Sequence, residues 1–282
     1  MSATSIGGQV TTCPPPYIVF TDLDGTLLDH HTYAWQPALP AIRRLQALNI
    51  PIIINTSKTA AEVLPIRHSL GLSSPFIVEN GSALYIPKGF CDGSIENLAA
   101  INIRGDYYCL LFGANRDNIV QCIYNERAAR DLKFSGYRDW DTETLMSHTG
   151  LDRISAEQSL ARLYSEPIIW QDSEAAHRHF SDFITRKGLR ILSGGRFEHI
   201  QGDTDKAKPM RFFREHIYRD EKIEFICLGD TENDIAMLEH ADIALCIKSP
   251  VGPYPELSHK HVYYSQKCGP EGWQEAIDYI LA

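Results

Sequence analysis

Four short apolar runs in this chain each end in a polar motif, and that repeated junction limits what the chain can fold into. The runs are YIVF (17–20), IPIII (50–54), PFIV (75–78) and EFICL (224–228); a fifth, ADIALCI, spans 241–247. They are rich in Ile, Val and Phe and too short for helices, so they read as strands buried on both faces. Stretches 38–49, 59–70, 206–219 and 231–240 are helix candidates, and Thr59 and Glu62 have capping-box spacing at the start of the second. Such alternation predicts an α/β fold, a parallel sheet with helices on both sides. Sites in these sheets form at the C-terminal strand ends, where FTDLD, NTSK, VENG and LGDTEND all fall. The four motifs are thereby expected to converge on one crevice.

The middle of the chain has a different texture. Residues 86–202 are loop-rich, with shorter alternating segments such as YYCLLF (107–112), LRILSG (189–194) and RFEHI (196–200). This predicts an α+β unit, 86–202, inserted into a core made of 1–85 and 203–282. No internal repeat is evident, and the only low-complexity stretch is Pro14–Pro16.

With 282 residues, 44% hydrophobic and 22% charged, the chain has the balance of a soluble globular protein and the length for two domains. A net charge of -9 argues against a nucleic-acid partner, which needs a basic face. A local basic cluster still leaves room for a small anionic substrate. Seven cysteines without a C-x-x-C pair fit reduced thiols better than disulfides or a zinc site. No run approaches the roughly 20 apolar residues of a membrane span. The start, MSATSIGGQVTTCPPP, lacks the features of a signal peptide and reads as a flexible lead-in. A cytoplasmic location is expected; the oligomeric state is not legible.

Asp22 and Asp24 carry the strongest chemical implication. An EF-hand loop also begins D-x-D, but needs glycine sixth and glutamate twelfth; here Gly25 is fourth and Tyr33 twelfth. Two acids capping the next helix are the plainer alternative. Chemically, one carboxylate can attack phosphorus and form an aspartyl-phosphate while its neighbour moves protons. Gly25 allows a sharp turn, and Thr26 is placed to orient the second acid. Far along the chain, Asp230, Asn233 and Asp234 cluster at a helix start, where Asp230 or Thr231 could also serve as an N-cap. Brought beside Asp22, these oxygens make a site suited to Mg²⁺. Thr56 ends the second strand, where its hydroxyl and nearby amides can hold a phosphoryl oxygen. Lys206 begins a helix, poorly placed for the dipole, and makes more sense as a counter-charge to Asp22 and the phosphoryl group. Lys208 is its rival.

Together these blocks resemble the haloacid dehalogenase-like phosphatases over nearly the whole chain. The resemblance implies a Rossmann-like core with Mg²⁺, Asp22 as nucleophile and Asp24 as acid/base. It also implies phosphate binding by Thr56 and Lys206, with Asp230 and the Asp24 carbonyl completing the metal shell. An insert after the ENG block (79–81) looks like the C2-type cap of that superfamily. More narrowly, TSKT (56–59), VENGSAL (78–84), RLYSEP (162–167) and GGRFEH (194–199) look like mannosyl-3-phosphoglycerate phosphatases. Ala207 stands where the wider group often has glycine, and Thr231 follows Asp230 where variation is common; neither removes a functional group.

The expected activity is hydrolysis of a glycosyl-3-phosphoglycerate, the mannosyl compound first. Alternatives are another sugar phosphate, a phosphomutase on the same scaffold, or a catalytically silent sensor. A glycerate carboxylate calls for a cation beyond Lys206, and Arg162, Arg196 and Lys58 are the candidates. The rest of the TSK block contributes Ser57. Glu79, Asn80, Glu166 and His199 are candidates for the sugar hydroxyls; the plainer alternative pairs Glu166 and Glu198 with the two arginines in salt bridges. The H-x-H pairs 177/179 and 259/261 are read as solvated surface.

Overall fold

The computed structural model describes residues 16–90, 101–194, 197–219 and 222–282. The N-terminal lead-in, Cys13, Cys91 and the candidate Arg196 lie outside them. The strands in the first part of the chain are β1 (Tyr17–Thr21), β2 (Ile52–Asn55), β3 (Phe76–Val78), β4 (Ala83–Pro87), β5 (Ile101–Arg104) and β6 (Tyr107–Leu111). The middle adds β7 (Phe134–Gly136), β8 (Ser165–Trp170), β9 (Leu189–Gly194) and β10 (Phe197–Gly202). The last part adds β11 (Glu224–Gly229), β12 (Ile243–Lys248) and β13 (Val262–Cys268). The helices are α1 (Leu39–Ala47), α2 (Ala60–Ser69), α3 (Arg116–Arg130), α4 (Thr142–Thr149), α5 (Arg153–Leu160), α6 (Glu174–Arg186), α7 (Ala207–Phe212), α8 (Ile235–Glu239) and α9 (Gly269–Ile280).

All five apolar runs become strands of one sheet, ordered β13-β12-β11-β1-β2-β3-β4-β6-β5. From β13 to β3 every pairing is parallel. Their continuous apolar character follows from cover on both faces. Along β1, Val19 packs toward α1, α2 and α9 with Ile42, Val63 and Trp273. Its neighbours Ile18 and Phe20 face α7 and α8 with Met210, Phe213 and Met237. The capping box of α2 is present, Thr59 accepting from the Glu62 N–H while Glu62 accepts from that of Thr59.

Three differences from the sequence expectation have local causes. The hairpin β5–β6 pairs antiparallel onto β4 and extends the large sheet, so residues 101–111 join the core sheet rather than the insert. An alternating run shows that a strand exists, not which sheet receives it. The helix expected over 206–219 is six residues of α7 continued by a π-turn, Phe213–Ile217. That expected over 231–240 opens with a 3-10 turn, Glu232–Asp234, before α8.

The smaller sheet is antiparallel in the order β7-β8-β10-β9. One face packs Phe134, Ile168 and Ile200 against Ile119 and Ile123 of α3 and Phe180 and Ile184 of α6. Strand alternation therefore turns Ser165, His199 and Gln201 to the other face, which meets the large sheet. There the Ser165 hydroxyl donates to Glu79 and the Gln201 amide to the Asn80 carbonyl. The two connections between the units run side by side: Lys208 donates to the carbonyls of Phe112 and Asp203 at once. Among the described residues, no helix is long and apolar enough to cross a membrane. The described cysteines, Cys109, Cys122, Cys227, Cys246 and Cys268, are all free thiols.

Candidate active site

Strand order explains why distant motifs meet. The chain leaves β1 toward β2 and β3, then returns to the other side of β1 with β11 and β12. β1 is thus the topological switch point, where such sheets open a crevice at their C-terminal edge. Asp22 follows β1, Thr56 follows β2, Glu79 follows β3 and Asp230 follows β11. The Asp22 N–H donates to the Leu228 carbonyl at 2.9 Å, locking the first and last of these ends together.

Asp22, Asp230 and Asp234 are all buried and offer carboxylate oxygens within 4.8 Å of one another. The ammonium of Lys206, 0% exposed, lies 2.7 Å from Asp22 Oδ1 and 2.6 Å from Asp234 Oδ1. Burial disfavours that charge, but the two carboxylates outweigh it and hold the lysine pKa above its ordinary value. The Asn55 amide donates to the Lys206 carbonyl at 2.8 Å, fixing the start of α7 beneath the crevice. Asp234 Oδ2 accepts from the N–H groups of Asp230 and Thr231, at 3.0 and 3.2 Å. Both of its oxygens are therefore engaged by the protein itself.

Burial, reinforced by the charges of Asp234 and Asp22, pushes the Asp230 carboxyl up to about 8. Burial also raises Asp234, to about 6, against the pull of Lys206. Three carboxylates and one ammonium sum to −2 when ionised. A hard divalent cation on these oxygens would relieve that repulsion, so the donor set fits one.

Several sequence candidates take other places. The Thr26 hydroxyl donates to Asp230 Oδ1 at 2.9 Å, orienting this acid and not Asp24. Asp24 meets Lys58 instead, at 2.9 Å, and its buried Oδ1 has no hydrogen-bond partner among the described residues. Lys58 also lies 3.7 Å from Glu62; burial opposes its charge, but Asp24 and Glu62 raise its pKa above the usual value. Asn233 is engaged by neighbouring polar side chains. Its side chain donates to Asn80 Oδ1 and accepts from the Thr231 hydroxyl. Thr56 is buried, its Oγ1 accepting from the Lys58 N–H at 3.3 Å.

The remaining candidates separate by the direction of their strands. Glu79 accepts from the Leu163 and Tyr164 N–H groups, each at 3.0 Å, and from the Ser165 hydroxyl at 2.6 Å. It is a buried clasp between β3 and β8. Glu166 points the opposite way, under α3, held by Arg116 at 2.7 Å, by Tyr124 and by the Arg138 N–H. Glu198 likewise faces α6 and pairs with His177, a half-buried side chain where the sequence suggested solvated surface. Arg162 and His199 face the crevice side. Arg162 donates to the Ser57 carbonyl and the Ser165 hydroxyl, both at 3.1 Å, and lies 4.0 Å from Glu79. Asn55, Ser165 and Gln201 were not anticipated; Asn55 directly precedes Thr56, and Gln201 shares a strand face with His199.

Comparison with known proteins bears on this geometry. Residues 19–92 and 166–250 match the family model of the haloacid dehalogenase-like hydrolases. A glucosyl-3-phosphoglycerate/mannosyl-3-phosphoglycerate phosphatase of Methanococcoides burtonii is 38% identical over 264 residues, 93% of this chain and 96% of that one. Its namesake from Persephonella marina is 34% identical over 272 residues, 94% of this chain and 97% of that one. The crystal structure of Thermoplasma acidophilum 0175 superposes with a TM-score of 0.66 at 16% identity, covering 94% of this chain and 98% of that one.

Proposed function

The chain belongs to the haloacid dehalogenase-like hydrolases, and we propose that it is a phosphatase acting on glucosyl- or mannosyl-3-phosphoglycerate. The carrying observation is the identity to two phosphatases of that name over more than nine-tenths of the chain. Neither relative separates the two sugars, so both are expected substrates. The large sheet is the catalytic core, and the part after Leu111 up to Gly202 is its substrate-selecting cap.

The chemistry follows from the residues at the strand ends. Asp22 attacks phosphorus in line and becomes an aspartyl-phosphate, while the bond to the glycerate oxygen breaks. Asp24 acts as general acid toward that oxygen. It then takes a proton from the water that attacks the same phosphorus, and phosphate leaves as Asp22 is restored. Lys206 holds Asp22 in place and balances its charge and that of the phosphoryl oxygens. The Thr56 hydroxyl and the amides after it hold phosphoryl oxygens at the start of α2.

Asp22 and Asp230 would hold Mg²⁺ with their carboxylates, together with the Asp24 carbonyl. Asp234, whose oxygens are already engaged, positions Lys206 and the Asp230 backbone. When bound, Mg²⁺ offsets the charge of carboxylates and phosphoryl group. Phosphate release from both glycosyl-3-phosphoglycerates, measured beside a panel of hexose phosphates, tests this assignment. Preference for a plain hexose phosphate, or an isomerised phosphate ester with no free phosphate, would overturn it.

A further inference from the structure

Polar atoms buried without partners are concentrated where the small sheet meets the crevice. Arg162 Nε, His199 Nδ1 and Gln201 Oε1 lack hydrogen-bond partners among the described residues, as does Asp24 Oδ1. A buried polar atom left unsatisfied costs free energy, more when charged, so such a set calls for a ligand or ordered water. His199 and Gln201 lie two apart on β10 and share the inward face. Arg162 is fastened by its Nη1 to the Ser57 carbonyl, one residue from Thr56, which brings its guanidinium to the phosphate end of the crevice.

Arg162 is held only loosely by an acid here. Glu79 is the nearest acid, at 4.0 Å, but it already accepts three hydrogen bonds from the start of β8. Glu166, which might have neutralised the arginine, faces α3 instead. A buried arginine Nε–H and a buried imidazole nitrogen, both without partners among the described residues, suit a planar anion that accepts two hydrogen bonds.

We infer that Arg162 and His199 bind the glycerate carboxylate of the substrate, and so set the preference for phosphoglycerate esters over other sugar phosphates. The inference rests on the activity proposed above. Glu79 and Ser165 act as positioning residues, holding the strand start from which Arg162 projects.

The test compares a glycosyl-3-phosphoglycerate with its analogue bearing a hydroxymethyl group in place of the carboxylate. The wild type should favour the carboxylated ester in kcat/KM by about ten- to a hundredfold, the span of one charge-assisted hydrogen bond. Arg162→Gln and, more weakly, His199→Gln should shrink that ratio toward one, chiefly through KM. Equal losses on both esters would overturn the assignment and make Arg162 a structural tie between cap and core. Should Arg162→Gln fail to fold, inhibition of the wild type by glycosylglycerate and by glycosylglycerol decides: equal inhibition overturns the assignment, tighter binding of the glycerate supports it. A wild type that hydrolyses neither ester but cleaves hexose phosphates would instead refute the proposed activity, and this site with it.

Discussion

Gly25 and Asp230 approach so closely that a β-carbon on Gly25 would stand 3.1 Å from the Asp230 carboxyl carbon and closer still to its Oδ2. Gly25 also has φ +80°, a conformation that other residues adopt only at a cost of about 1–2 kcal/mol. The glycine of D-x-D-G-T thus serves the distant acid as much as its own turn. Gly25→Ala should displace Asp230 and raise the Mg²⁺ concentration for half-maximal activity by about 10–100-fold, as loss of a metal site's support does. An unchanged Mg²⁺ dependence would show that Asp230 is not a ligand.

The two acids of the motif differ in their surroundings, and their variants should differ too. Asp22 is buried against Lys206, whereas Asp24 reaches outward to Lys58 with one oxygen unpartnered among the described residues. Asp22→Asn should abolish turnover while leaving substrate binding. Asp24→Asn should slow it about 10²–10⁴-fold, the usual worth of acid–base assistance. Near-normal rates in Asp22→Asn would sink the covalent route.

Lys206 is the ion on which the buried cluster depends. Without it, Asp22 and Asp234 would face each other and Asp230 with no other ion-pair partner among the described residues. Breaking a buried ion pair by removing one member costs about 3–5 kcal/mol. Lys206→Met should show that loss by denaturant titration in chelator, and Mg²⁺ should recover part of it. A variant as stable as the wild type in chelator would mean that the three carboxylates are not all ionised together.

What could be read from the sequence was whatever a strand end decides by itself. Asp22, Thr56 and Asp230 each follow an apolar run too short for a helix, and a parallel sheet brings such ends together. The roles of Glu79 and Glu166 depended on contacts that no local pattern encodes. One turns on which backbone N–H groups arrive from β8, the other on which face of β8 the helices cover. Thr26 was legible as a hydroxyl beside the acids, but its choice of Asp230 over Asp24 is set across 204 residues of chain. The strand at 107–111 was visible within YYCLLF, while its partner at 101–104 and the place of both in the large sheet followed only from pairing.

His199 gives a test by pH. Burial, with the Arg162 charge behind it, lowers its pKa from 6.5 to about 3. As pH falls below 6.5 the unfolded chain takes up a proton that the folded protein refuses until about pH 3, so stability declines through that window. Each pH unit is worth about 1.4 kcal/mol per such group, so descent to about pH 5 should remove about 2 kcal/mol on this account. His199→Gln keeps a polar side chain but cannot titrate, and its melting temperature should fall less steeply over the same interval. Because the carboxylates of the crevice titrate in both proteins, the difference between the two curves isolates the imidazole. Parallel curves would mean that His199 is already charged in the folded protein, and that its ring meets an acid or water the buried geometry does not provide.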